Sequence, residues 1–451
     1  MSPAATRSGA IPTRALGVLM CTALVVGNTI GVGVFMLPAS LAPYGLNAIP
    51  GWLITAAGCT FVAWVFAGLA RTFPDDDGPI AYVGRAFGSG VAFTVMWCYW
   101  VSTWVTNAVL ATGVVGYLSM FFPVLGTNHT LAALTALSLL WVFVLINQRG
   151  VRTAGSVQVV STALKLVPQL GIIALGLWAL LASHAQPLVH APPTPLSLAS
   201  VMAASTLALY AMLGVESAAL PAGRVRDPGR TIPRATFIGT LLVALIYICV
   251  SLVPMLLMPQ AELAASNAPF ADLFSRILGS ASGKLLAAFV IVSGLGCLNG
   301  WTLILGELTV SFARHGGFPP VLGKVNSHGA PTRAFALTGM LASILVITSY
   351  NGTMAGAFTF LSVVVTAANL PLYFACALAV VVLWRRGQIP QPGARELRWI
   401  AAALIATVYC VWVSIGIGGK SLWWALALCA VGVPVYWWYA HVRREALAAR
   451  A

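Results

Sequence analysis

Gly27-Asn28-Thr29-Ile30-Gly31-Val32-Gly33-Val34-Phe35 lies inside the first long apolar segment of the chain, where a regular helix is expected. Three glycines within seven residues work against that helix, each by about 1 kcal/mol relative to alanine. In a bilayer an unwound stretch survives only where it is buried in protein or lines a wet cavity. Two readings follow. The glycines let helices approach closely, or the helix breaks and offers bare backbone to a small ligand. The stretch alone leaves both open.

Its surroundings are those of a membrane protein. The 451 residues are 59% hydrophobic and 8% charged, against roughly 25% charged in soluble proteins. Apolar runs long enough to cross a bilayer recur from end to end. We expect an all-α integral membrane fold of twelve transmembrane helices. They lie at about 14–40, 47–70, 91–121, 131–147, 156–183, 199–221, 236–258, 281–311, 334–350, 354–384, 399–418 and 421–441. The first run is too long for a cleaved signal peptide. With the N-terminus inside, 20 of the 24 Lys and Arg fall in the even-numbered loops and the two tails. That is the positive-inside pattern of a bacterial inner (plasma) membrane protein with both termini cytoplasmic. The net charge of +14 therefore reads as topology, and no nucleic-acid partner is expected. Asp75-Asp76-Asp77 reads as a solvated inner turn, and the Pro-rich stretch 184–198 as an outer loop. No linker separates soluble domains, so 1–451 is one polytopic domain.

The eight cysteines fall in apolar segments without paired spacing, and the six histidines in loops or at segment ends. Neither a disulfide framework nor a metal site is suggested. No cofactor and no enzymatic activity are expected.

A second polar interruption, Tyr210-Ala211-Met212-Leu213-Gly214-Val215-Glu216-Ser217, stands five spans after the first. Two interrupted helices at matching places in two halves are the pattern of inverted-repeat transporters. The halves are about 14–183 and 199–384, with an appended pair at about 399–441. Charged residues well inside spans are Lys165, Glu216 and Glu307. Each costs about 2.5–3.5 kcal/mol if it faces lipid at mid-span, so each should face protein or water. Glu216 follows the second break by one turn and either ties it to a neighbour or takes up a proton. Lys165 either supplies a fixed positive charge, titrates, or snorkels to an interface. Glu307 fits packing or transport equally. In span three, Tyr99, Thr103 and Asn107 recur at i, i+4 and i+8 and share a helix face. In span eight, Trp301 sits beside Asn299 and Gly300, where its ring can bind a cation.

On these residues the chain resembles the amino acid–polyamine–organocation superfamily. The resemblance rests on the Gly27–Phe35 motif, on Gly214-Val215-Glu216-Ser217-Ala218, and on Arg226-Asp227-Pro228-Gly229-Arg230-Thr231-Ile232-Pro233 after it. The stretches 104–123 and Gly300-Trp301-Thr302-Leu303 are similar to the basic amino acid/polyamine branch, its arginine–agmatine antiporters most of all. The resemblance covers about 10–440 and implies a LeuT-type 5+5 inverted repeat with helices 1 and 6 broken. It implies that the N–H groups of Val32 and Gly33 take a substrate carboxylate. Carbonyls near Thr29, Tyr210 and Leu213 then take the α-amine, Thr103, Asn107 and Leu110 line the site, and Trp301 stacks on the substrate cation. It further implies Glu216, Lys165 and Tyr99 as gating or proton-coupling residues. Tyr210 stands where the family has a gate tryptophan, and Leu110 where it has a methionine. Lys165 matches relatives in which a fifth-helix lysine fills a sodium position. The expected function is antiport of a basic amino acid such as arginine for its amine such as agmatine. A proton-coupled symporter using Lys165 is the alternative. Partners are the amino acid or amine and the lipid bilayer, with a homodimer left open.

Overall fold

The computed structural model describes residues 17–74, 78–149, 151–181, 195–214, 225–314, 317–350, 353–389 and 393–437. Glu216, the acidic turn 75–77, most of the Pro-rich outer loop and both tails lie outside the described residues. The described chain is helical, without strands: α1 (Val18–Thr29), α2 (Gly33–Leu41), α3 (Ala48–Thr72), α4 (Pro79–Phe87), α5 (Ser89–Leu118), α6 (Val124–Thr127), α7 (His129–Gln148) and α8 (Val151–Leu181) form its first part. Then come α9 (Leu198–Met212), α10 (Pro228–Leu257), α11 (Gln260–Ala265), α12 (Pro269–Leu278), α13 (Ser280–Arg314), α14 (Thr332–Ser349), α15 (Met354–Arg385), α16 (Ala394–Gly416) and α17 (Gly419–Ala430). Among the described residues, nine helices are long and apolar enough to cross a membrane, and Val18–Gly27, Lys165–Ala179 and Leu198–Met212 are shorter apolar helices.

The element order repeats. After the break at Ile30 come a span (α3), a short helix (α4) and a long helix (α5); after the end of α9 come α10, then α11 and α12, then α13. The joints match in detail. α4 and α12 each begin on proline, Pro79 and Pro269. Each ends on a glycine with positive φ, Gly88 at 88° and Gly279 at 89°, followed directly by the serine that opens the long helix. That backbone region is open to glycine at no steric cost and disfavoured for other residues. Arg85 and Arg276 both stand three residues before the glycine. The two joints are thus alike in local chemistry.

α5 runs through the core, buried along nearly its whole length, and packs against α13, α15, α7 and α14. α3 packs against α10 and α9, and α1 against α10. Between these two groups lie the chain breaks. Tyr117 on α5 reaches across, its hydroxyl donating to the Phe35 carbonyl at 2.8 Å. Phe35 in turn meets Phe270 of α12 edge to face, with ring centroids 5.9 Å apart. Glu307 stands exposed on α13, two turns before Arg314.

Candidate functional site

α1 ends at Thr29, Ile30 is extended (φ −75°, ψ 108°), and the helix resumes at Gly33. A helix that stops inside a protein leaves its last carbonyls without intrahelical partners, and this chain supplies them. The Ile30 N–H donates to the Val26 carbonyl at 2.9 Å. The Lys165 ammonium, 1% exposed, donates to the Gly27 carbonyl at 2.8 Å. The Tyr247 hydroxyl donates to the Thr29 carbonyl, also at 2.8 Å. A cation at this end also complements the partial negative charge of a helix C-terminus. The other side of the break differs. No side chain caps the start of α2 at Val32, so its first N–H groups face outward from a helix N-terminus, a ready anion site.

Both readings of the glycines prove physical. A Cβ on Gly31 would lie 2.6 Å from Cys297 Sγ of α13, and one on Gly33 would lie 2.9 Å from the Tyr210 ring of α9. The Val32 side chain fits where α5 and α13 carry Gly113 and Gly294, whose Cβ atoms would stand 2.8 and 3.2 Å from it. Missing side chains bring three helices up to the break, and the break exposes backbone between them.

What they enclose is a small pocket that opens between the helices. Thr29, Gly31 and Gly33 form one wall; Ser102, Thr106 and Leu110 on α5 form another. α9 contributes Tyr210, Ala211 and Leu213, α13 contributes Cys297 and Trp301, and α15 contributes Asn369. α9 stops here as well: Leu213 is extended (ψ 142°) and Gly214 turns to positive φ (110°). Its C-terminal carbonyls and the α2 N-terminus therefore border one cavity, acceptors beside donors. Tyr210 is held by an edge-on contact with Phe358, centroids 5.8 Å apart.

The description "amino acid permease" fits a family model that matches this chain over residues 16–438. The chain belongs to the amino acid permease family. The cadaverine/lysine antiporter of Escherichia coli (strain K12) is 32% identical over 444 residues, 96% of each chain. The arginine/ornithine antiporter of Pseudomonas aeruginosa is 31% identical over 433 residues, 92% of this chain and 89% of the relative. The arginine/agmatine antiporter of Chlamydia abortus is 28% identical over 448 residues, 95% and 90%. The chain is thus a multi-pass membrane protein of a family of transporters, as its motifs led us to expect.

Thr29, Gly33, Leu110, Tyr210, Leu213 and Trp301 of the expected site come together in the pocket. Val32 turns its side chain away into the Gly113–Gly294 contact. Lys165, on α8, stands behind the break and bonds to the Gly27 carbonyl of α1. Thr103 and Asn107 are buried on the face of α5 adjacent to the pocket-lining one; Thr103 donates to the Tyr99 carbonyl, and the Asn107 carbonyl oxygen has no partner among the described residues. The lining face of α5 is Ser102–Thr106–Leu110, itself spaced i, i+4, i+8. Sequence reasoning passed over Thr106, Cys297 and Asn369. For Asn369 a signal existed: it is an amide in an apolar run, two residues before Pro371.

Proposed function

We propose that this permease is an antiporter that exchanges a basic amino acid for a decarboxylated amine, as arginine for agmatine or lysine for cadaverine. The observation that carries this is the pairing of an uncapped helix N-terminus with a helix C-terminus at one small pocket beside Trp301. A carboxylate suits the first and an ammonium the second. The named activities of the relatives point the same way. In this reading the N–H groups of Val32 and Gly33 hold the carboxylate, and carbonyls near Thr29, Tyr210 and Leu213 hold the α-amine. Trp301 faces the side-chain cation, Asn107 and Thr103 support the α5 wall, and Tyr99 and Glu216 act at the gates. The chain crosses the membrane twelve times as two inverted five-span repeats plus a final pair, with both termini inside. The repeated joints at Gly88 and Gly279 and the inward bias of Arg and Lys support this. α1, α3, α9 and α10 rock as a group against α5, α7, α13 and α14.

Exchange has a direct test. Proteoliposomes preloaded with a basic amino acid or its amine are expected to take up labelled substrate many times faster than empty ones. Equal uptake into empty vesicles would reject obligate exchange. It would favour the second reading, a proton-coupled symporter, which the buried Lys165 ammonium at the break supports.

A further inference from the structure

Two hydroxyls on the pocket wall opposite the break share a property that their residue types do not reveal, and an amide faces them. Ser102 Oγ donates to the Tyr99 carbonyl at 2.8 Å, and Thr106 Oγ1 donates to the Ser102 carbonyl at 2.8 Å. Each hydroxyl has a single hydrogen, and here it is already engaged. Toward the pocket both can therefore only accept. On the facing helix, Asn369 is 2% exposed and its carbonyl oxygen has no hydrogen-bond partner among the described residues. A buried acceptor left alone is costly, and a ligand donor removes that cost. No carboxylate is among the described residues that line this pocket.

We propose that the hydroxyl oxygens of Ser102 and Thr106 and the carbonyl oxygen of Asn369 form a wall of acceptors that receives the terminal ammonium of the substrate side chain, making this a site for ω-amino substrates. This rests on the transport reading above and names the side chain it selects. An ammonium is compact, has three donors and no acceptor, and rotates to meet separate acceptors. Three single acceptors from two helices match it. A guanidinium is a rigid planar fork that is best met by the paired oxygens of a carboxylate, which this wall lacks. The positive charge faces the Trp301 ring. Carboxylate and side-chain ammonium thus bind at opposite walls, donors on α2 and acceptors on α5 and α15. A diamine, with no carboxylate, keeps the acceptor wall and gives up the donor end.

The test is competition binding to the purified intact protein with lysine, arginine and norleucine, which is close to lysine in shape but ends in a methyl group. The wild type is expected to prefer lysine over both. Asn369→Leu is expected to lower lysine affinity about tenfold or more, the size of one charge-assisted hydrogen bond, while norleucine binding holds or improves. Thr106→Val, a change of similar shape in a helix that keeps its own ladder, should shift the lysine-to-norleucine ratio the same way. Asn369→Asp keeps an acceptor and should hold lysine at least as tightly as the wild type. A lysine-to-norleucine ratio unchanged in both Asn369→Leu and Thr106→Val overturns the wall, and so does a wild type that binds arginine more tightly than lysine. These failures are distinct from failure of the transport reading, which is a wild type that exchanges no amino acid in preloaded vesicles.

Discussion

Lys165→Met is expected to lower exchange at least about tenfold at every pH while the shape of the pH profile is kept. The ammonium is buried and bonded to the Gly27 carbonyl in the last turn of α1. Methionine fills the space but cannot donate. The carbonyl is then left buried and unpaired, which costs about 1–3 kcal/mol, and 1.4 kcal/mol is tenfold in an equilibrium constant. The loss falls on the broken end of the helix, whose position sets the pocket wall at Thr29 and Gly31. Initial exchange rates in preloaded vesicles across a pH series measure it. Uptake that persists while its pH dependence disappears would make Lys165 the proton carrier of a symporter instead.

Gly33→Val is expected to abolish substrate binding while the protein still folds and inserts. The new Cβ would lie 2.9 Å from the Tyr210 ring, and that ring is backed edge-on by Phe358. Either the ring tips into the pocket or α2 moves away from it. Overpacking of this kind costs about 1–3 kcal/mol. Both outcomes displace the N–H groups that begin α2. Equilibrium binding of a labelled basic amino acid reads the loss, and thermal unfolding shows that the fold survives. Gly33→Val with wild-type affinity would mean that substrate does not sit at the break.

The glycines alone did not make the break legible: three of them weaken a helix, but they fit close packing equally, and α13 carries Gly294, Gly296 and Gly300 without breaking. The second interruption, at Leu213-Gly214 where α9 stops, made it legible. The lining face of α5 was not legible. Ser102, Thr103 and Thr106 all donate to carbonyls of their own helix, so polarity does not mark which side meets a ligand. Only the approach of α13 and α15 picks out Ser102–Thr106–Leu110 over Tyr99–Thr103–Asn107. Cys297 was hidden in another way. It reads as a small apolar residue, and its role comes from lying where Gly31 has no side chain. Lys165 was legible as a charge that needs a partner, but the partner is a backbone carbonyl, and no sequence pattern records that.

Cys297 offers the most direct check on where the substrate sits, since its thiol lines the pocket and abuts Gly31. Methanethiosulfonate ethylammonium, a small cationic thiol reagent, is applied to the intact protein with and without saturating basic amino acid. Labelling is then read peptide by peptide with mass spectrometry. Substrate is expected to slow labelling of Cys297 several-fold and to leave Cys410, buried on α16 away from the pocket, unchanged. Equal labelling of Cys297 in the presence and absence of every transported substrate would contradict a binding site at the Gly31–Gly33 break.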